Sequence, residues 1–154
     1  MSFSSETKNE LCKEMPSSKC CVVAQCYGIV LYCNTFTLSE VKIVTENTAF
    51  AKLLPRLFKK AFGFSFDEIT ETTASGKTVL SIKDTSKLDV IFETYGYERD
   101  SILAHHINYG IIEDDCCRQS FVRGIFLAGG SVTDPGKQYH LELVTDHYNV
   151  SRET

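Results

Sequence analysis

The sequence predicts an α+β domain in which two similar helices pack against each other and each is followed by strands. Two stretches carry this prediction, residues 20–36 (CCVVAQCYGIVLYCNTF) and residues 116–131 (CCRQSFVRGIFLAGGS). Each begins with two adjacent cysteines, and in each a glycine (Gly28 or Gly124) follows the second cysteine by seven residues. The first stretch is apolar almost throughout, which is typical of a core helix. Together they indicate an internal repeat.

The repeat continues into the strands. Residues 40–47 (EVKIVTEN) match residues 140–147 (HLELVTDH), with apolar residues at equivalent places. The helices are offset by 96 residues and the strands by 100, so the second connection is four residues longer. The sequence therefore predicts one full helix-strand repeat plus the start of a second, divided into residues 1–115 and 116–154. We expect the chain to be part of a longer protein, because its second repeat stops after the first strand.

The two glycines predict how the repeated helices meet. A glycine inside a helix costs about 1 kcal/mol relative to alanine. The usual reason to keep one is the close approach of another backbone. We therefore expect the helices to cross at Gly28 and Gly124, at the centre of the domain.

The other elements follow from hydrophobic periodicity. The helix at 48–62 has Asn47 as its N-cap and Gly63 after its end, and Pro55 within it predicts a kink or a late start. Residues 100–115 are ambiguous, with an extended piece near INYGII. The remaining predicted elements are a helix at 4–15 capped by Ser4 or Ser5, helices at 20–33, 86–95 and 117–129, and strands at 38–45, 64–72, 77–83 and 139–146.

Composition limits the function classes. The 154 residues suffice for one domain with a real core, and the net charge of −4 does not indicate a protein that binds nucleic acid over its whole surface. Neither a membrane span nor a signal peptide is predicted, so we expect a cytoplasmic protein without a membrane partner.

The seven cysteines are odd in number and include two adjacent pairs. We interpret them as reduced, buried thiols rather than disulfides.

Four segments resemble the N-terminal region of the WhiA family: FVRGIFLAGGS (121–131), YHLEL (139–143), SFSSETKNELCK (2–13) and CYGIVLYCNTF (26–36). WhiA proteins are regulators of sporulation and cell division, found mainly in Gram-positive bacteria. Their N-terminal region looks like a degenerate LAGLIDADG homing-endonuclease scaffold, joined to a C-terminal helix-turn-helix domain. The resemblance implies this scaffold here, in a nucleoid-associated transcription regulator that binds DNA as a full-length protein. We expect the helix-turn-helix domain to be absent from this chain.

The resemblance also implies that nuclease chemistry has been lost. In LAGLIDADG nucleases, an aspartate near the end of each helix holds the divalent metal. The corresponding positions here are Cys33 and Gly129. The main hypothesis is therefore a catalytically dead interaction or regulatory module with no catalytic residue, metal or cofactor. Asp134, five residues beyond Gly129, leaves a residual metal-dependent nuclease as an alternative.

A second alternative is a saddle that binds DNA without cutting it. Cationic side chains can contact phosphates, although a solvated helix face is the more common explanation for such residues. The predicted strands at 64–72 and 77–83 form a hairpin, and its acidic residues (Asp67, Glu68 and Glu71) would repel the DNA backbone. The candidate DNA-contacting residues are Lys52, Arg56, Lys59, Lys60, Arg118 and Arg123.

Three further interpretations concern the surface and the thiols. Residues 105–117 (HHINYGIIEDDCC) contain metal-ligand residue types, but adjacent cysteines lack the spacing of zinc sites, so a solvated loop is favoured. Cys21 and Cys117, at helix starts, are candidates for a lowered pKa, although core packing is favoured. The incomplete second repeat predicts exposed apolar surface and hence self-association; partner proteins are also expected.

Overall fold

The computed structural model describes residues 2–72, 75–97, 107–134, 136 and 140–145, which form five α-helices and six β-strands. None of the described helices has the length and apolar character needed to cross a membrane. The helices are α1 (Phe3–Cys12), α2 (Lys19–Tyr32), α3 (Thr48–Phe62), α4 (Thr85–Thr94) and α5 (Asp115–Gly129). The strands are β1 (Thr35–Phe36), β2 (Val41–Thr45), β3 (Glu68–Thr72), β4 (Lys77–Ile82), β5 (Gly130–Val132) and β6 (Leu141–Leu143).

The predicted α+β class is confirmed. Strands β1 to β4 form an antiparallel sheet in the order β1-β2-β4-β3, and β5 pairs with β6 in a separate antiparallel pair. Helix α2 is followed by the pair β1–β2, and helix α5 is followed by the pair β5–β6. The order of elements is therefore the same in the two repeats.

Helix α2 lies in the core and connects segments that are distant in sequence. The fully buried ring of Tyr27 stacks on that of Tyr95, with 4.3 Å between centroids. The Tyr27 hydroxyl accepts a hydrogen bond from the backbone N–H of Asn108 at 2.6 Å, and the Tyr95 hydroxyl donates to the carbonyl of Val23 at 2.8 Å. These contacts fasten the end of α4 and the segment before α5 to one helix.

Several helix boundaries differ from the predictions. Helix α1 is capped by Ser2, whose side chain accepts from the N–H of Ser5 at 3.1 Å, so the caps expected at Ser4 or Ser5 are wrong. Helix α3 begins at Thr48 and continues through Pro55, so the late start is also wrong. The buried apolar stripe on both sides of Pro55 stabilises this helix despite the missing N–H. Helices α2 and α5 begin at Lys19 and Asp115, slightly earlier than predicted.

Two strand predictions are also corrected. The strand predicted at 38–45 is shortened to β2, because the Thr37 hydroxyl accepts from the N–H groups of Ser39 and Glu40 (3.3 and 3.2 Å) and forms a turn before it. Within INYGII, residues Tyr109–Ile112 form a 3₁₀ turn instead of an extended piece. The Asn108 side chain caps this turn by accepting from the N–H of Gly110 at 3.1 Å.

Candidate functional site

Helices α2 and α5 cross where each presents a glycine to the other. A Cβ atom on Gly28 would overlap the carbonyl oxygen of Phe121 and lie 2.9 Å from the backbone nitrogen of Ile125. A Cβ on Gly124 would overlap the carbonyl oxygen of Gln25. Any side chain at either position would force the backbones apart. Glycine is therefore what permits this crossing.

A pocket of about 230 Å³ lies at the C-terminal ends of α2 and α5. Among the described residues that line it, none carries a carboxylate side chain. Two of its polar side chains support the local fold: Thr145 donates to the carbonyl of Leu31 at 2.9 Å, and Asn34 accepts from the N–H of Val44 at 2.9 Å. The lining residues are Tyr32, Cys33, Asn34, Val44, Ala128, Gly129, Val144 and Thr145.

Cys33 and Gly129 occupy the positions where the resemblance places metal-binding acids, and both line this pocket. The buried Cys33 thiol donates to the carbonyls of Val30 and Thr35, at 3.0 and 3.1 Å. Burial raises the pKa of Cys33 to about 12, so the thiol is neutral at physiological pH. Gly129 has no side chain, and a Cβ there would overlap the carbonyl oxygen of Val144. Neither position offers an anionic oxygen ligand.

Asp134, the candidate displaced carboxylate, is not among the residues that line this pocket. It is exposed, and its carboxylate accepts from the backbone N–H of Gly136 at 2.9 Å. This hydrogen bond gives Asp134 a local role in the connection between β5 and β6.

The candidate DNA-contacting residues lie on two helices. Lys52, Arg56, Lys59 and Lys60 are exposed on α3, Arg118 is exposed on α5, and Arg123 on α5 is half-buried.

Three of these cations already bind backbone carbonyls. The Lys60 ammonium donates to Pro16 and Ser17 at 2.9 and 3.2 Å, and the Lys59 ammonium donates to Gly63 at 3.2 Å. The Arg118 guanidinium donates to the carbonyl of Ile112 at 3.0 Å and pairs with Asp115. These cations therefore help to hold the fold, and their contact with DNA stays a prediction.

The three acidic residues of the hairpin region do not share one face. The Asp67 carboxylate precedes β3 and accepts from the N–H groups of Lys83 (2.6 Å) and Asp84 (2.7 Å) and from the Lys87 ammonium (2.6 Å). Burial opposes ionisation, but these hydrogen bonds and the Lys87 charge outweigh it and lower the pKa of Asp67. Glu68 and Glu71 are three residues apart in β3, so they point to opposite faces.

The two cysteine pairs meet at the N-terminal ends of α2 and α5. The sulfur atoms of Cys20, Cys21, Cys116 and Cys117 all lie within 4.8 Å of one another. Cys20 and Cys116 are exposed, so the interpretation of the thiols as uniformly buried is wrong for these two. The spacing within each pair gave no sign of this cluster. The repeat did, because it places both pairs seven residues before a crossing glycine.

The environment of these thiols is uneven. A hydrogen bond with Ser18 is the main cause that lowers the pKa of Cys21, whereas burial raises the pKa of Cys117 to about 12. A hydrogen bond with Cys21 raises the pKa of Cys116. Of the two cysteines that were candidates for a lowered pKa, Cys21 has one, whereas the pKa of Cys117 is raised and the candidate is wrong. The candidate ligands His105 and His106 lie outside the described residues.

Two helices that cross at glycines, each followed by antiparallel strands, define the class of LAGLIDADG-like domains. The family model described as the WhiA LAGLIDADG-like domain matches residues 118–153. The chain is 34% identical over 160 residues to the probable cell division protein WhiA of Desulforamulus reducens, covering 96% of this chain and 49% of that protein. It is 34% identical over 170 residues to the protein of the same name from Alkaliphilus oremlandii, covering 98% and 52%.

Solved structures agree with this relationship at the level of the fold. The full-length DUF199/WhiA from Thermatoga maritima superposes with a TM-score of 0.66 at 23% identity, covering 93% of this chain and 44% of that one. The N-terminal LAGLIDADG domain of DUF199/WhiA gives a TM-score of 0.66 at 24% identity, covering 92% and 66%. The chain is therefore similar to WhiA proteins over nearly its whole length, in agreement with the resemblance seen in its sequence, and it spans about half the length of the curated relatives it matches.

Proposed function

We propose that this chain is the N-terminal part of a WhiA-like transcription regulator that acts in bacterial cell division and sporulation. Its LAGLIDADG-like scaffold serves as an interaction or regulatory module, and the full-length protein acts at the nucleoid in the cytoplasm. DNA is recognised mainly by a separate helix-turn-helix domain. The name of its relatives, probable cell division protein WhiA, supports the cellular role. The non-enzymatic part of the proposal is supported by Cys33 and Gly129, which occupy the positions expected for metal-binding acids at the ends of the paired helices.

Neither Cys33 nor Gly129 can supply the metal ligand that nuclease chemistry requires. Metal-assisted phosphodiester hydrolysis depends on carboxylates that bind a hard cation and position water. A buried neutral thiol at Cys33 and a glycine at position 129 supply no such ligand. Asp134 is engaged in its own turn, which gives the nuclease alternative less support.

A cleavage assay tests this part of the proposal. The purified chain is incubated with supercoiled plasmid and Mg²⁺ or Mn²⁺, beside an Asp134→Ala variant and an EDTA control. We expect no nicking above the EDTA control for either protein. Cleavage by the unmodified chain that is lost in Asp134→Ala would support the residual nuclease instead.

A binding assay tests where DNA is read. The fluorescence anisotropy of a labelled duplex is measured against this chain at low and physiological salt. We expect little change at physiological salt, because three of the six candidate cations hold backbone carbonyls of the chain itself. Binding that weakens steeply with salt and is lost in Lys52→Glu/Arg56→Glu, but not in the control Lys77→Glu, would favour the non-cleaving DNA saddle.

A further inference from the structure

The paired helices bring four thiols together at one end of their interface. Cys20 and Cys21 lie in the first turn of α2, and Cys116 and Cys117 lie in the first turn of α5. All four sulfur atoms are within 4.8 Å of one another, although the pairs are 96 residues apart in sequence. Each pair precedes its crossing glycine by the same distance, so the tight helix crossing fixes the two pairs side by side.

The backbone around this cluster favours negative charge. Among the five described helices, α1, α3 and α4 have first-turn N–H groups bonded to a capping side chain. Helices α2 and α5 have no such bond from their N-cap residues, Ser18 and Asp114. The Ser18 hydroxyl instead lies 3.5 Å from the Cys20 sulfur. Two helix N-termini without side-chain caps therefore direct their positive ends to the thiols.

The other charges near the cluster are mixed. Lys19 is exposed beside the first pair, while Asp114 and Asp115 are exposed beside the second. Arg118 pairs with Asp115 at 3.2 Å and so offsets its charge. Glu113 and Asp114 are acidic neighbours in the sequence for which no ion pair is seen among the described residues. The helix ends therefore provide positive potential at the cluster, and Lys19 adds an exposed positive charge next to Cys20 in the sequence.

We propose that Cys20, Cys21, Cys116 and Cys117 form a tetrathiolate site for a thiophilic divalent metal ion, with zinc as its natural occupant. Four sulfur ligands without histidine or carboxylate select soft or borderline metals. A zinc–sulfur distance of about 2.3 Å in a tetrahedron places the sulfurs about 3.8 Å apart. To reach this distance, the sulfur atoms must approach one another by at most about 1 Å from their present separations of up to 4.8 Å. Rotation of the side chains can provide this movement.

Binding of the metal ion releases protons from the thiols and changes the charge of the site. Each thiol that is protonated loses its proton on binding, so one Zn²⁺ releases up to four protons and leaves a site with a charge of −2. No oxidant or reductant is involved. The bound ion would link the N-terminal ends of α2 and α5, and it would stabilise their crossing because the site exists only in the folded chain.

Cobalt titration tests the proposal on the unmodified chain. The protein is stripped of metal, kept reduced with a phosphine, and shown to contain seven titratable thiols after denaturation. Co²⁺ is then added as the spectroscopic probe. We expect the visible absorption of tetrahedral cobalt thiolate to saturate at one equivalent per chain, and stoichiometric Zn²⁺ to abolish it. Zinc is also expected to raise the midpoint of thermal unfolding.

Variants assign the ligands. Cys20→Ser/Cys116→Ser changes only the two exposed thiols, so circular dichroism is expected to show an intact fold and the cobalt absorption is expected to disappear. The matched control is Cys12→Ser, which removes a thiol outside the cluster and is expected to bind cobalt like the unmodified chain. Absence of tetrahedral cobalt absorption in the fully reduced chain would overturn the proposal. Undiminished binding by the double variant, or a disulfide between the pairs with no metal affinity in the reduced form, would do the same.

Discussion

Helices α2 and α5 share a sequence pattern but differ in how completely the fold covers them. In α2, 11 of 14 residues are buried, whereas in α5 only 7 of 15 are buried. Helix α2 packs against both α3 and α5. On α5, Val122 is 53% exposed beside an apolar groove that also includes Phe126 and Leu141. The repeated sequence therefore sets the crossing of the two helices, while the burial of each helix depends on the elements packed around it.

The two helices also differ at the equivalent positions 25 and 121. The ring of Phe121 lies 5.6 Å from that of Tyr27, centroid to centroid, and contributes to the core. Gln25 is fully buried, and its side-chain amide has no hydrogen-bond partner among the described residues. A buried amide without a partner is destabilising. The two helices are thus more alike in their backbones than in their side chains.

The largest effect is expected when a methyl group is added at the crossing. Gly28→Ala and Gly124→Ala should each lower the free energy of unfolding by about 3 kcal/mol or more, because the gain in helix propensity is smaller than the cost of backbone overlap. Urea unfolding followed by circular dichroism measures this. The control Gly136→Ala, on an exposed turn, should change stability by less than about 0.5 kcal/mol. Neutral effects at both crossing positions would show that the helices do not approach this closely.

The next effect concerns Asp67, which attaches α4 to the sheet of the first repeat. Asp67→Asn should cost about 2 kcal/mol at pH 7, because hydrogen bonds to a charged group are lost. Since the pKa of Asp67 is lowered in the folded chain, its contribution is complete well above the ordinary value of 3.8 and is lost as the pH falls through the lowered value. Urea unfolding from pH 7 down to pH 2 should therefore show the two proteins converging in acid. A constant difference across this range would contradict the assignment.

A smaller effect of opposite sign is expected at Gln25. Gln25→Leu should raise the free energy of unfolding by about 1 kcal/mol, because an unpaired buried amide is replaced by an apolar side chain. Thermal and urea unfolding would measure the change, with Gln119→Leu on the exposed part of α5 as the control. Destabilisation by Gln25→Leu alone would mean that the amide makes a hydrogen bond in solution, and the two helices would then be more alike than they look.

The smallest effect on stability is expected at Val122, where the apolar groove of α5 is exposed. We expect the chain to self-associate through this groove, and Val122→Lys should shift it towards the monomer while changing stability by only about 0.5 kcal/mol or less. Light scattering over a range of concentrations gives the mass of both proteins. Val90→Lys, on another exposed apolar residue, is the control. A monomeric mass for the unmodified chain at high concentration would rule out this association.

Much of the fold was predictable because its signals are local. The apolar period of residues 48–62, with Asn47 before it and Gly63 after it, gave α3 with its correct ends. The predictions failed where a single side chain redirects the backbone. Thr37 and Asn108 do this through hydrogen bonds to nearby N–H groups, which leave no trace in hydrophobic periodicity.

In the candidate site, too, some features were predictable from local sequence and others were not. The spacing to Gly28 and Gly124 predicted the crossing, and the resemblance predicted that Cys33 and Gly129 would take the places of acids. The structural roles of Asp67 and Lys60 were not predictable, because their partners lie 16 or more residues away. Such partnerships depend on how elements pack, which a pattern within one segment does not record.

Residue identity and spacing along the chain are enough to establish the repeat, the expected place of the helix crossing, and the presence of Cys33 and Gly129 where the resemblance expects acids. The tertiary structure adds that the four sulfur atoms come within 4.8 Å of one another and that α2 is enclosed while α5 keeps an exposed apolar face. Both outcomes depend on the direction and closeness with which segments about a hundred residues apart pack together. Local sequence does not fix that geometry, because it arises from the packing of the whole domain.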